Sequence, residues 1–439
     1  MASGAGAIDR FFHLSARRTT VGRELRGAVA TFLTMAYILF VNPDILTQAK
    51  GATPEMFGAF LVSTALAAGV CCILMGAVAN FPIALASGMG LNAIVAYQVS
   101  TAAGSWQAAM GLIVLDGLLT TLLVLTGLRE AVMHAIPRDL RLAIGAGIGL
   151  FIAFIGLVNA KLVIAGAAGA PPVAAGHLAD PATRTALIGL LATAFLVARR
   201  VNGALILGIL LTTGVAFLFG ATRWPATFPL PSFTGVAFQA DVRAALRWDL
   251  MPLLFAVVMV DFFDTIGTAS AVAESAGLVD ERGRVPGVRR ILAVDSLSAA
   301  IGGALGASSV TSYIESAAGV AEGARTGLHT VFVGLLFLLA IFLAPVAGVV
   351  PAAATAPALI LVGFLMIAQI VKVNFDDYET AIPAFLTLLT IPLTYSIAHG
   401  IGYGFIAYVV IKLLARKPRE PHPLMYLASA AFLAYFIWS

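Results

Sequence analysis

Long apolar runs, separated by short polar stretches, repeat along the chain from residue 27 to its end. A helix needs about 20 apolar residues to cross a bilayer. Windows of that kind fall at 27–46, 56–78, 81–100, 105–127, 140–163, 185–198, 202–220, 251–274, 291–307, 311–324, 327–349, 352–371, 380–398 and 400–415. A further apolar segment follows at 422–438. Two windows, 81–100 and 311–324, are interrupted by Gly, Ser or Pro and predict broken spans with short non-helical stretches. The pattern predicts an all-α polytopic membrane protein with fourteen spans. Residues 8–16 predict a short interfacial helix with Phe11, Phe12 and Leu14 toward lipid.

The chain reads as doubled. IPRDLRLAIGAGIGLFIAFIGL begins at Ile136 and VPAAATAPALILVGFLMIAQI at Val350, each a Pro-containing entry into a Gly-containing apolar helix. The broken segments ALASGMGLNA (84–93) and ALGASSVTSYIES (304–316) correspond in the same way. Seven spans per half give the halves opposite topology. Inverted repeats with a broken helix at matching places point to a secondary transporter's binding site.

Composition supports the membrane reading. Of 439 residues, 60% are hydrophobic and 11% charged, with a mean hydropathy of +0.98. Soluble domains carry about 25% charged residues. A soluble globule, disorder, coiled coil and collagen are all excluded. The net charge of +4 does not signal nucleic acid, because no Lys/Arg run with interleaved aromatics occurs. With the N-terminus in the cytoplasm, only Lys50, Lys161, Arg184, Arg223, Arg243 and Arg247 of the 26 basic residues fall outside. That bias sets the orientation in a cell membrane. The first 26 residues are polar, and no cleavable signal is expected. Cys71 and Cys72 are adjacent in an apolar run and suit neither a disulfide framework nor a metal site. His134 and His399 have no metal-ligand partner at helical spacing. No metal or cofactor is expected.

Most acidic residues fall in loops or at segment ends, and the exceptions carry the functional signal: Asp116, Asp261, Asp264, Asp295 and Glu315. A charge at mid-membrane costs at least about 2.5–3.5 kcal/mol on insertion scales and usually serves transport or proton relay. Asp261 and Asp264 share one helix face, with Thr265 and Thr268 close by. They fit either a proton-carrying pair or a hydrogen bond between helices. Small residues and hydroxyls, among them Ser309 and Thr311, precede Glu315. The chain there can restart as a half-helix with Glu315 in its first turn, where free backbone N–H groups point outward. Asn92 follows SGMGL, with Gly90 inside that stretch, in the other broken segment. Its amide suits a heterocyclic ligand or joins helices. Asp116 and Asp295 read as structural. Glu322, near Arg325, reads as half of an end-of-helix ion pair, and Glu274 also lies near a segment end.

Four stretches then carry a resemblance: TTVGRELRGAVATFLTMAYILFVNPDIL (19–46), NFPIALASGMGLNAIVAY (80–97), VDFFDTIGT (260–268) and SSVTSYIESAAGVAEGARTGL (308–328). The chain resembles the AzgA-like purine permeases, nucleobase–cation symporters of the UraA-type fold, over residues 9–438. The resemblance implies two inverted seven-span repeats. It implies a core domain of 27–127 and 251–349 and a gate domain of 128–220 and 350–416. Residues 1–26 would be a cytoplasmic segment, 221–250 an extracytoplasmic loop and 417–439 a C-terminal apolar segment. The base would sit between the broken third and tenth spans and span 8. The implied site is Asn92, Asp261, Asp264, Tyr313 and Glu315, with Thr34, Gly90, Thr265, Thr268, Ser309 and Thr311 around it. Tyr313, or Phe262 and Phe263, would pack on the ring. The uracil and xanthine branches carry an ENxG-like element after the span-10 glutamate. Here Ser316 replaces the Asn and Gly319 comes one residue later, which argues for the purine branch.

The expected function is import of adenine, guanine or hypoxanthine by proton symport, with Asp261, Asp264 and Glu315 as proton-coupling groups and a core that moves past the gate. Na⁺ is the second choice of coupling ion, and a homodimer is possible. An anion exchanger of the same fold would prefer an Arg or a neutral site near the broken helices. An intramembrane enzyme would need an HExxH motif or a nucleophile–base pair, and the sequence has neither.

Overall fold

A computed structural model describes residues 6–127, 135–166, 172–222, 224, 231–279, 285, 287–347 and 349–438. His134 and Arg223 lie outside the described residues, as do the side chains of Phe262, Phe263 and Asp264.

The first half runs α1 (Ala7–Phe12), α2 (Val21–Met35), α3 (Ile38–Leu46), α4 (Phe57–Val78), β1 (Leu85–Ser87), α5 (Met89–Ala93), a π-helical stretch Ile94–Val99, α6 (Ser100–Ala103) and α7 (Trp106–Thr126). It continues with α8 (Arg138–Asn159), a hairpin of β2 (Val163–Ala165) and β3 (Val173–Ala175), α9 (Pro181–Ala198), α10 (Ala204–Leu218) and the short α11 (Val242–Ala245). The second half is α12 (Met251–Ala276), α13 (Val288–Leu305), β4 (Val310–Ser312), α14 (Ser316–Ala321), α15 (Gly327–Ala340), α16 (Ala344–Ala347), α17 (Ala352–Ile367), α18 (Tyr378–Leu393), α19 (Ile397–Leu414) and α20 (Pro423–Trp438). Every predicted apolar window is occupied by one of these helices or broken stretches. Among the described residues, seven helices are long and apolar enough to cross a membrane, and four more apolar helices are shorter. The β2–β3 hairpin was not expected from the sequence.

Helix ends follow local chemistry. Thr20, Ser105, Asp180 and Ser396 each accept a backbone N–H at the start of a helix, the usual role of short polar side chains at that position. Gly127, Gly277 and Gly306 close α7, α12 and α13 in the left-handed conformation.

The packing has the symmetry of an internal repeat. Helix α7 packs on α13, and α4 on α15. Helices α9 and α10 pack together, as do α18 and α19. Helix α8 packs on both α17 and α18, and α9 on α17. Exchanging the two halves maps each of these pairs onto another in the set, or onto itself. Two helix sets result. One contains α2, α3, α4, α7, α12, α13 and α15 with both broken segments; the other contains α8, α9, α10, α17, α18 and α19. Close approach relies on small residues. A Cβ on Gly149 of α8 would lie 2.8 Å from the carbonyl oxygen of Gly363 in α17.

The two broken segments meet. Strands β1 and β4 pair antiparallel, with Leu85 opposite Ser312, Ala86 opposite Thr311 and Ser87 opposite Val310. All six residues are buried. Backbone N–H and C=O groups away from water must be hydrogen-bonded. Each non-helical stretch therefore satisfies the other, and the expected breaks become a two-stranded sheet.

Two expectations at the N-terminus need correction. The helix covers only Ala7–Phe12, and Leu14 is buried against the protein, not turned to lipid. Phe11 does remain exposed. The segment is tied down: Arg17 donates to the carbonyls of Asn80 (2.7 Å) and Arg325 (2.9 Å). At the other end, α20 lies on α19, with Phe432 edge-on to Phe405 at 5.9 Å and beside Phe255 at 5.5 Å.

Candidate functional site at the broken segments

The β1–β4 pair is extended and locked at both ends. The N–H of Gly88 donates to Ser309 O (2.8 Å), and that of Tyr313 donates to Ala84 O (2.9 Å). Ser316 Oγ accepts from Ala84 N (2.9 Å) and donates to Tyr313 O (2.6 Å). The Ser that stands in place of the family's Asn thus joins the two broken segments. Tyr313 donates its hydroxyl to Ser87 O at 2.5 Å. Ser87 in turn donates to Ala307 O (2.6 Å), which also accepts from Asn42 in α3 (3.1 Å).

A carboxylate fixes β4 against α12. Asp295 of α13 is fully buried and accepts from Ser312 Oγ (2.7 Å) and from the hydroxyl of Thr265. Thr265 Oγ1 also lies 3.4 Å from Thr311 Oγ1. Thr265 and Thr311, both in the expected site, are therefore held beside the sheet. Asp261 sits one turn before Thr265, fully buried, and its backbone carbonyl lies 3.2 Å from the Thr265 hydroxyl. Thr268 is buried in the next turn. The side chain of Asp264 lies outside the described residues.

Glu315 is the residue just before α14, not in its first turn, and it makes no side-chain capping bond there. Its carboxylate instead accepts from the Tyr37 hydroxyl at 2.9 Å. Asn92 is fully buried in α5, and neither amide atom has a hydrogen-bond partner among the described residues. Ser309 Oγ is in the same condition. Gly90 lies where α5 meets α8: a Cβ there would be 2.7 Å from Ile148 Cγ2. The Thr34 hydroxyl donates back to its own helix, to Thr31 O (2.8 Å) and Ala30 O (3.1 Å).

Three residues were missed by sequence reasoning. Tyr37 lies between α2 and α3, inside an apolar run with nothing to mark the break. Glu24, assigned to a polar leader, is fully buried and accepts from the N–H groups of Arg325 (2.8 Å), Thr326 (3.3 Å) and His329 (3.1 Å) at the start of α15. Those are the orphan donors of a helix end. Asp44 is buried in α3 and accepts from Thr355 of α17 at 3.0 Å. Its mark in the sequence is a carboxylate within VNPDIL, close to the end of the first apolar window. The expected Glu322–Arg325 pair does not form. Arg325 donates to the carbonyls of Val320 and Ala324, 2.6 Å each. Asp116 is buried in α7, where its backbone carbonyl accepts from Thr120. Cys71 and Cys72 are buried and free. Among the described residues, no group of three His, Cys, Asp or Glu side chains could hold a metal ion.

Known proteins resemble this chain in sequence and in architecture. A model of the permease family (Xan_ur_permease) matches residues 22–402. The chain is 43% identical to the guanine/hypoxanthine permease PbuG of Bacillus subtilis, over 98% of this chain and 100% of that one. It is 39% identical to the adenine permease AdeQ of Escherichia coli, over 98% and 96%. Among solved structures, the transmembrane domain of a cyanobacterium bicarbonate transporter, BicA, superposes with a TM-score of 0.59 at 15% identity, over 87% of this chain and 97% of that one. At that identity the likeness speaks for the fold alone, and the fold is of the expected UraA type. The chain belongs to the permease family, a family of multi-pass membrane transporters and not of enzymes.

Proposed function

We propose that this permease imports purine nucleobases, of the adenine, guanine or hypoxanthine kind, by proton symport. The observation that carries the reading is Asn92. A fully buried amide with no protein partner among the described residues is uncommon and asks for an explanation. A purine edge supplies one, because it offers ring nitrogens that accept and N–H groups that donate. Ser309 Oγ, on the other broken segment, is a second such group. The half-buried Glu315, also on the second broken segment, provides an acceptor. The names of the relatives support the same substrate class.

In this reading the base lies between the broken segments and α12. Its N–H groups donate to Glu315 and to Asp261 or Asp264, and it accepts from the amide of Asn92. A proton on one of the three carboxylates neutralises the site. The core, 27–127 and 251–349, then moves past the gate, 128–220 and 350–416, with the N-terminus in the cytoplasm. One charge crossing 100 mV yields about 2.3 kcal/mol, and about 1.4 kcal/mol is tenfold. One proton therefore sustains roughly a fifty-fold gradient of base per 100 mV. Uptake of labelled adenine, guanine and hypoxanthine into proteoliposomes, with and without a pH gradient, tests this. Accumulation only with the gradient is expected; equal uptake without it would exclude proton coupling.

A further inference from the structure

Tyr37 lies at the turn between α2 and α3, only 1% exposed, and donates its hydroxyl to Oε1 of Glu315 over 2.9 Å. Glu315 itself is half-buried as a residue. Its backbone is helical and its side chain makes no capping bond to α14. One oxygen of the carboxylate is therefore held by a neutral donor from the turn between α2 and α3.

We propose that Tyr37 is a specificity-determining residue: its bond to Oε1 uses an acceptor site there and fixes the carboxylate, so that Glu315 meets the bound base chiefly through Oε2. The inference rests on the nucleobase reading of the site. Its chemistry is simple. The two oxygens of a carboxylate match two parallel donors, and such paired contacts are the strong, selective ones. Guanine has that edge, with N1–H beside the 2-amino group. Hypoxanthine has N1–H alone. With Oε1 engaged by Tyr37, the second donor of guanine meets an acceptor already in use and gains less than it would from a free carboxylate. With Oε1 released, guanine gains one hydrogen bond to a charged group and hypoxanthine gains none.

The purified protein in nanodiscs is titrated with guanine and with hypoxanthine, and the ratio of the two Kd values is the readout. Tyr37→Phe keeps the ring and removes the donor. It is expected to shift the ratio toward guanine by about tenfold, the scale of one such bond. In a Glu315→Gln background the same substitution should leave the ratio unchanged. A merely structural tie between helices would weaken both bases together and leave the ratio alone, which would overturn the proposal. So would a shift that persists in the Gln background. The single variant Glu315→Gln gives an independent test should Tyr37→Phe not fold: it must not remove a guanine preference, and removal of one would show that both oxygens already bind the base. Wild type that binds adenine but neither of these bases would overturn the proposal alone, and wild type that binds none of the three would overturn the nucleobase reading on which it stands.

Discussion

Thr355 donates a hydrogen bond of 3.0 Å to Asp44, and so ties α17 in one helix set to α3 in the other. A second polar link runs in parallel, from Ser396 to Gln98 at 3.1 Å. Both lie where the proposed core and gate meet, and any relative movement of the two sets must break them. Thr355→Val leaves a buried carboxyl oxygen unsatisfied, which costs about 1–3 kcal/mol. The variant should melt at a lower temperature in detergent. Adding Asp44→Leu, which removes the stranded acceptor, should recover part of the loss. Strictly additive losses would mean that the pair is not coupled.

Asn92 is expected to behave in the opposite way. Its amide makes no hydrogen bond to the described protein, so Asn92→Leu removes a buried polar group that holds nothing together. Stability should stay level or rise, while affinity for the base falls tenfold or more. Thermal melting and equilibrium binding on the same preparation measure both. A strong loss of stability with binding retained would make Asn92 a helix tie.

Ser316 is a lock between the broken segments. Ser316→Ala orphans the N–H of Ala84 and loses a bond to Tyr313 O. An unsatisfied buried N–H costs about 1–3 kcal/mol, so both melting temperature and uptake should fall. Ser316→Cys and Ser316→Thr, which keep a partner for that N–H, should be milder. Alanine behaving like wild type would show that the Ala84–Ser316 contact is dispensable.

Gly90 tests whether α5 slides on α8. A Cβ there meets a branched methyl of Ile148 at 2.7 Å, and overpacking of that kind costs about 1–3 kcal/mol. Gly90→Ala should slow transport. Gly90→Ala with Ile148→Ala should restore it, because the clash is between those two side chains alone. Failure of the double variant to recover would assign Gly90 some role other than clearance.

Much of this was legible in the sequence, for a physical reason. Bilayer thickness fixes the length of an apolar span, so the windows land on the helices. The Gly, Ser and Pro interruptions at 81–100 and 311–324 locate the two broken segments, because a non-helical backbone inside a membrane protein needs small residues and a partner. What stayed hidden depends on which side chain reaches across to which. Glu24 looks like a polar leader residue until α15 needs a cap from α2. Tyr37 looks like one more apolar position until the break between α2 and α3 turns its hydroxyl to Glu315. Asp295 carries no pattern of its own, and its partners Ser312 and Thr265 come together only once β4 is packed against α12 and α13.

The account depends most on Glu315 as the group that couples proton to base. The direct measurement is uptake of labelled hypoxanthine into proteoliposomes under an imposed pH gradient, comparing wild type with Glu315→Gln. Wild type should concentrate the base above the external level and lose it when an uncoupler is added, and the Gln variant should never exceed equilibrium. Gradient-driven accumulation by the Gln variant, equal to wild type and abolished by the uncoupler, would contradict the account.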